Sequence, residues 1–354
     1  MTSSLVYPFK RAGGAVKSLA SAAAVALLAG CSANPIYTTT GVVLSNYSEG
    51  EATPYVLQMS DPQMACSLGE GLDPLLYSFS RVTSAPDTTG SLLMLLAGNC
   101  MEYRAWEAEL AYLRADFRGD VPAAKDAREE AKRLNAKTAQ RRLQAFNRAM
   151  AAYEFDPAAE PLECPFLFTE QDELTFLLGL LTGMQAIVND ANSGAMAGIP
   201  RNIAPQAERA ASCLDNKKWG GLPNSIRALV WLLLPDTRPA LSPDPWSVLD
   251  HSSELGIAAG MRASMALEAV AAETFGRPDV LADTIAEFVA ADERIDVWDE
   301  YRLVDNVAAG VIRFSSDKHW TAEYGHRTPQ AHYGKMSPER DMEQVETMSL
   351  DDLL

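Results

Sequence analysis

Three of the chain's four histidines fall close together in DKHWTAEYGHRTPQAH: His319, His326 and His332. Imidazoles that share a metal usually sit a few residues apart on one helix. These are spaced by seven and then six residues, across a Gly and a Pro, so they read as surface or core histidines. The run HSSE at 251–254 sets a His beside two serines and Glu254. A hydrolytic triad draws its members from distant parts of a fold, and no G-x-S-x-G elbow occurs. Ser252 or Ser253 is therefore expected to cap a helix starting near Glu254. NDANSG at 189–194 faintly resembles a calcium loop, but Arg201 stands where the closing glutamate belongs. A helix ending in Asn and Gly explains it. These residues imply no catalytic set, no metal ligands and no cofactor, and a non-enzymatic chain is the expectation.

The cysteines carry the remaining chemistry. Lys10, Arg11 and Lys17 precede an apolar run from Ser18 to Gly30 that ends at Cys31. Crossing about 30 Å of hydrocarbon takes roughly 20 apolar residues, so this run reads as an export signal. Leu28-Ala29-Gly30-Cys31 looks like a bacterial lipobox, which makes the Cys31 thiol the acylation site. The plainer alternative is a cleaved leader with an incidental cysteine. Ser32 after the cysteine implies outer-membrane delivery and a body facing the periplasm. Cys66, Cys100, Cys164 and Cys213 remain, an even number in an exported chain. Three connectivities are open. Nearest-neighbour pairing, Cys66–Cys100 and Cys164–Cys213, is the expectation, with four buried thiols as the alternative.

Residues 1–30 then form the signal peptide and 31–54 a Thr- and Ser-rich tether. An all-helical domain fills 55–332, and 333–354 make an acidic flexible tail. Without the leader's three cations, 27 basic residues face 47 acidic ones. That balance excludes a nucleic-acid-binding footprint.

The periodicity is helical throughout. Tyr103, Trp106, Leu110 and Leu113 share one helix face. Gly119 reads as a helix stop, and Asp120 with Pro122 as the next start. A long alanine-rich helix follows. Its Lys125, Arg128, Lys132, Arg133, Lys137, Arg141, Arg142 and Arg148 read as a solvated basic face or a dock for an acidic partner. Thr169 and Asp172 are placed to cap a third helix, and further helices are predicted at about 204–214, 223–234, 253–275, 278–290 and 299–314. Trp219, Trp231, Trp298 and Trp320 read as core. The class is all-α: stacked antiparallel hairpins forming a tetratricopeptide-like α-solenoid or a compact bundle.

On the third helix, Gly179 and Gly183 stand among large apolar residues. Either another helix fills that strip, or a cavity remains there. In the second case Phe176, Leu180, Gly183, Met184 and Ile187 would line it for an apolar ligand.

Across 169–239 run LLGLLTGMQAIVNDANSG, APQAERAASCLD and GGLPNSIRALVWLLLP. In this order they resemble the T component associated with TRAP transporters, a lipoprotein family of tetratricopeptide-like hairpins. Arg209, Ala210, Leu214 and Asp215 stand where that family has an Arg-Ala-Leu-like helix end and an acidic residue. The resemblance covers about a fifth of the chain. It implies a periplasmic scaffold with an apolar cavity that forms homo-oligomers and docks a solute-binding protein. The alternatives are an envelope assembly scaffold unrelated to transport, or a hydrolase whose triad is assembled from distant residues.

Overall fold

The computed structural model describes residues 34–338. The leader, the lipobox with Cys31, and the acidic end from 339 onward lie outside the described residues. The fold is all-α, with no strand among the described residues.

The first helices are α1 (Pro35–Tyr47), a π turn over Ser48–Ala52, α2 (Thr53–Leu57) and α3 (Pro62–Ser78). The long pair α4 (Asp87–Phe117) and α5 (Val121–Ala152) follows, then α6 (Glu170–Ser193) and α7 (Ile203–Ala211). The last helices are α8 (Leu222–Leu233), α9 (Pro245–Ala259), α10 (Ala263–Thr274), α11 (Pro278–Ala291) and α12 (Arg302–Tyr324).

Local chemistry sets the boundaries. Between α4 and α5, Gly119 takes φ +69°, and the Asp120 carboxylate accepts a bond from the Ala123 N–H at 3.2 Å. At α6 the Thr169 hydroxyl accepts from Asp172 N–H while the Asp172 carboxylate accepts from Thr169 N–H. Gly194 ends that helix at φ +78°. The predicted single helix over 253–275 is in fact two. Gly260 at φ +74° turns the chain, and a Cβ there would lie 2.2 Å from the Asp296 carbonyl oxygen. HSSE consequently sits inside α9, whose cap is Asp244 rather than Ser252 or Ser253.

The expected tether is a second correction. Residues 35–57 are helical, and Gly41, Ser48, Val56 and Leu57 are buried. The first residues of the expected tail pack as well: His319 Nε2 bonds the Met336 carbonyl, and Arg313 lies over the Tyr333 ring.

Successive hairpins α4/α5, α6/α7, α8/α9 and α10/α11 stack side by side. α12 then returns to pack on both α10 and α4. An open solenoid is thereby closed into a ring. Both expected disulfides form, Cys66–Cys100 joining α3 to α4 and Cys164–Cys213 pinning the segment before α6 to the end of α7.

Candidate functional site

Closing the ring leaves a central cavity of about 460 Å³, within the size range of small-molecule sites. Helices α4, α6, α8, α10 and α12 wall it, α5 adds Asn135 and Arg142, and α7, α9 and α11 contribute nothing to its lining. α2 and α3 cover one side through Val56, Leu57, Leu68 and Leu72. On α4 the lining stripe runs from Thr89 to Glu109, about 30 Å of helix at 1.5 Å per residue. The space is therefore elongated.

Its polarity is graded along that length. One end is formed by Leu92 and Leu96 of α4, Leu178 of α6, Leu229 of α8, and Leu303 and Val304 of α12. Midway along, a buried polar network faces it. The Arg142 guanidinium donates to both Glu102 carboxylate oxygens, to Asn189 Oδ1 and, at 3.3 Å, to Asn99 Oδ1. Asn189 Nδ2 passes the chain on to Asn135 Oδ1 at 2.9 Å. Three helices are tied together by this network, and an ion pair of net charge zero is held there.

At the far end Lys318 Nζ lies 3.2 Å from Glu109 and 3.3 Å from Glu273. Burial pulls the Lys318 ammonium down. Glu273 and Glu109 together outweigh that, so its pKa stands above the ordinary lysine value. One helical turn inward, Trp106 and Phe314 stack with centroids 4.5 Å apart. The exposed lining residues, Asn192 and Thr274, lie at the ends of α6 and α10 on this same side.

Of the residues predicted to line a cavity, only Met184 does so. Phe176 is fully buried against Tyr153 and Phe155, and Leu180 and Ile187 pack in the core. The glycine strip is filled. A Cβ on Gly179 would meet Ala149 Cβ at 2.3 Å, and one on Gly183 would meet Phe146 at 2.6 Å. The cavity lies on another face of α6, carried by Leu178, Leu181, Gln185, Val188 and Asn192. Gly183→Leu is therefore expected to destabilise the protein by roughly 1–3 kcal/mol or more through overpacking. A thermal melt checks this, and an unchanged or raised midpoint would contradict it.

The other sequence candidates have structural employment. His251 is exposed and bonded to Glu254, whereas Ser253 donates to the buried Glu268 at 2.6 Å. No His–Ser pair forms in this run. Glu268 borders a smaller cavity of about 290 Å³ with Trp246, Asp250 and Glu287, and burial pushes its carboxyl up to about 6. His326 bonds the Arg327 carbonyl, and His332 stacks on Trp320. Among the described residues no three metal-ligating side chains converge. Asp190 accepts from the Ala197 and Ile199 backbone N–H groups and orders the loop after α6. Trp219, Trp231 and Trp320 are buried in the core, as expected, whereas Trp298 is half-buried and stacks on Trp219 at the core's edge.

The basic face of α5 is corrected in part. Arg142 and Arg148 point inward, and Arg148 pairs with the buried Asp73 and lies over Tyr77. No family model, curated protein or solved structure matches this chain. Its function must be read from the cavity itself.

Two signals for that cavity were present in the sequence. The α4 stripe Leu92, Leu96, Asn99, Glu102, Trp106 and Glu109 keeps helical spacing while turning from aliphatic to charged. On α6, Gln185 and Asn192 fall in line with Leu178, Leu181 and Val188. A helix face that changes polarity along its length suits a site for a molecule with two unlike ends.

Proposed function

We propose that the chain is an envelope lipoprotein, acylated at Cys31 and held at the outer membrane. Its helical ring binds one elongated amphiphile. The observation that carries this reading is the graded central cavity. An elongated space of about 460 Å³ with one aliphatic and one charged end has the size and lining of a small-molecule site. The apolar end supplies non-directional burial, and the polar end fixes which way round the ligand lies.

Binding without chemistry is the simpler role, because the polar groups midway along the cavity, Glu102, Arg142, Asn99, Asn135 and Asn189, are engaged with one another. The resemblance to transporter T components supports a second component of function. In it the same body docks a solute-binding protein that delivers or receives the occupant.

Leu181→Trp and Val307→Trp, each placing a large side chain in the lining, test the cavity reading. Titration with an apolar fluorophore such as N-phenyl-1-naphthylamine is expected to show saturable binding to the parent protein. Each variant should lose about tenfold or more in affinity while keeping its helical circular dichroism. Undiminished binding in both would sink the proposal. The anchor is tested separately, since Cys31→Ala is expected to abolish incorporation of radiolabelled palmitate. Label retained by that variant would show that Cys31 is not the acylated residue.

A further inference from the structure

We infer that the occupant carries a cationic head group, as a long-chain amine or quaternary ammonium does, and that fatty acids are discriminated against. This inference rests on the cavity-binding reading and deepens it.

The charged groups that line the cavity are Glu102, Glu109, Arg142, Glu273 and Lys318. Glu102 and Arg142 cancel, with Arg142 buried and its two Nη groups spent on Glu102, Asn99 and Asn189. At the open end a single ammonium faces two carboxylates, Glu109 and Glu273. One negative charge is left uncompensated where a head group would come to rest. Neither carboxylate is freely solvated, their side chains being 25% and 21% exposed. Charges in such surroundings are screened less than surface charges.

A carboxylate head would add a third anion to this cluster and would find Lys318 already engaged. An ammonium head would complete it, giving two cations to two anions. Trp106 and Phe314 lie one turn inward on the same helices as Glu109 and Lys318. They provide aromatic surface for N-methyl or N-methylene groups, the chemistry that recognises quaternary ammonium ligands. The apolar chain would then extend past Asn99 toward Leu92 and Leu303. The aliphatic end binds any tail, so selectivity resides in the head.

The test uses full-length Cys31→Ser protein, which carries no acyl chain and is handled without detergent. N-phenyl-1-naphthylamine is bound first. It is then displaced by three probes of one chain length below their micellar concentrations: dodecyltrimethylammonium, dodecanol and dodecanoate. Dodecyltrimethylammonium is expected to displace at a concentration about tenfold or more below that of dodecanoate, with dodecanol between them. Glu273→Gln should shrink that ratio several-fold while leaving dodecanol unchanged, and Glu109→Gln should do the same if Glu273→Gln does not fold. Equal or stronger displacement by dodecanoate would overturn this inference and leave the cavity reading standing. So would a ratio unmoved in both variants. If neither the fluorophore nor any dodecyl probe binds, both fall together.

Discussion

Arg142→Ala is expected to lower the free energy of unfolding by roughly 3–5 kcal/mol, the range for breaking one side of a buried ion pair. Arg142 is 1% exposed and is among the largest fully buried side chains. Its partner Glu102, with a side chain only 12% exposed, would be left without its counter-ion. Asn99 and Asn189 would lose a donor too. The loss is therefore that of a network joining α4, α5 and α6, not of one hydrogen bond. For a domain of this size the melting midpoint should fall by on the order of 10 °C. The combination Arg142→Met with Glu102→Gln should recover much of the loss, because it leaves no unpaired charge behind. A single variant that melts with the parent protein would show that the network contributes little.

An effect of similar size is expected at the other side of the ring. Arg262 precedes α10 and is 4% exposed. Its Nε and Nη2 reach the two oxygens of Asp305 on α12 at 3.0 and 2.7 Å, and its backbone N–H adds a third bond at 2.9 Å. Nη1 donates to the Phe288 carbonyl of α11 and pairs with Asp292, and the guanidinium lies 3.9 Å from the Phe288 ring. One planar group thus fastens three helices. Arg262→Ala should cost roughly 3–5 kcal/mol by stranding the buried Asp305. Arg262→Lys should recover only part, since an ammonium cannot match the carboxylate fork. Urea unfolding of the three proteins decides it. A lysine variant as stable as the parent would mean that charge alone, and not the fork, holds the helices together.

What could be read in advance followed physical lines. Gly119, Asp120 and Pro122 announced the α4–α5 hairpin, and Thr169 with Asp172 announced α6. In each case the signal is a local hydrogen bond or a local backbone preference. Helices α1 and α3 carry the same start signals, Asn34 and Asp61 each capping a helix that opens on Pro, but their interiors argue against a helix. PIYTTTGVVLSNY is rich in β-branched residues, and α3 contains Gly69, Gly71 and Pro74. Both have poor intrinsic propensity; α3 is held by its packing on α4, while α1 buries only Gly41 and leans on the π turn and α3. Arg142 and Arg148 looked like surface residues because their partners, Glu102 and Asp73, lie 40 and 75 residues away in the chain. The glycines of α6 marked close packing, and the cavity opened on a face whose polar residues had been passed over. No local pattern announces that α12 returns to α4.

Both disulfides lie between Cys66 and Cys213, and no cysteine follows. The ring is therefore unevenly restrained. α3 to α7 belong to a part of the chain whose unfolded ensemble is already narrowed by two loops, which favours its folded state. α8 to α12 have only their native contacts, among them the Arg262 clamp. Partial openings of lowest free energy are expected where such restraint is missing, so hydrogen exchange should be faster in the α10–α12 wall than in the α3–α6 wall. The cavity runs along the seam between them, with Leu178 on one side and Val304 on the other. An amphiphile bound as proposed would touch both walls and act as a removable staple, its occupancy raising the cost of the next opening by mass action.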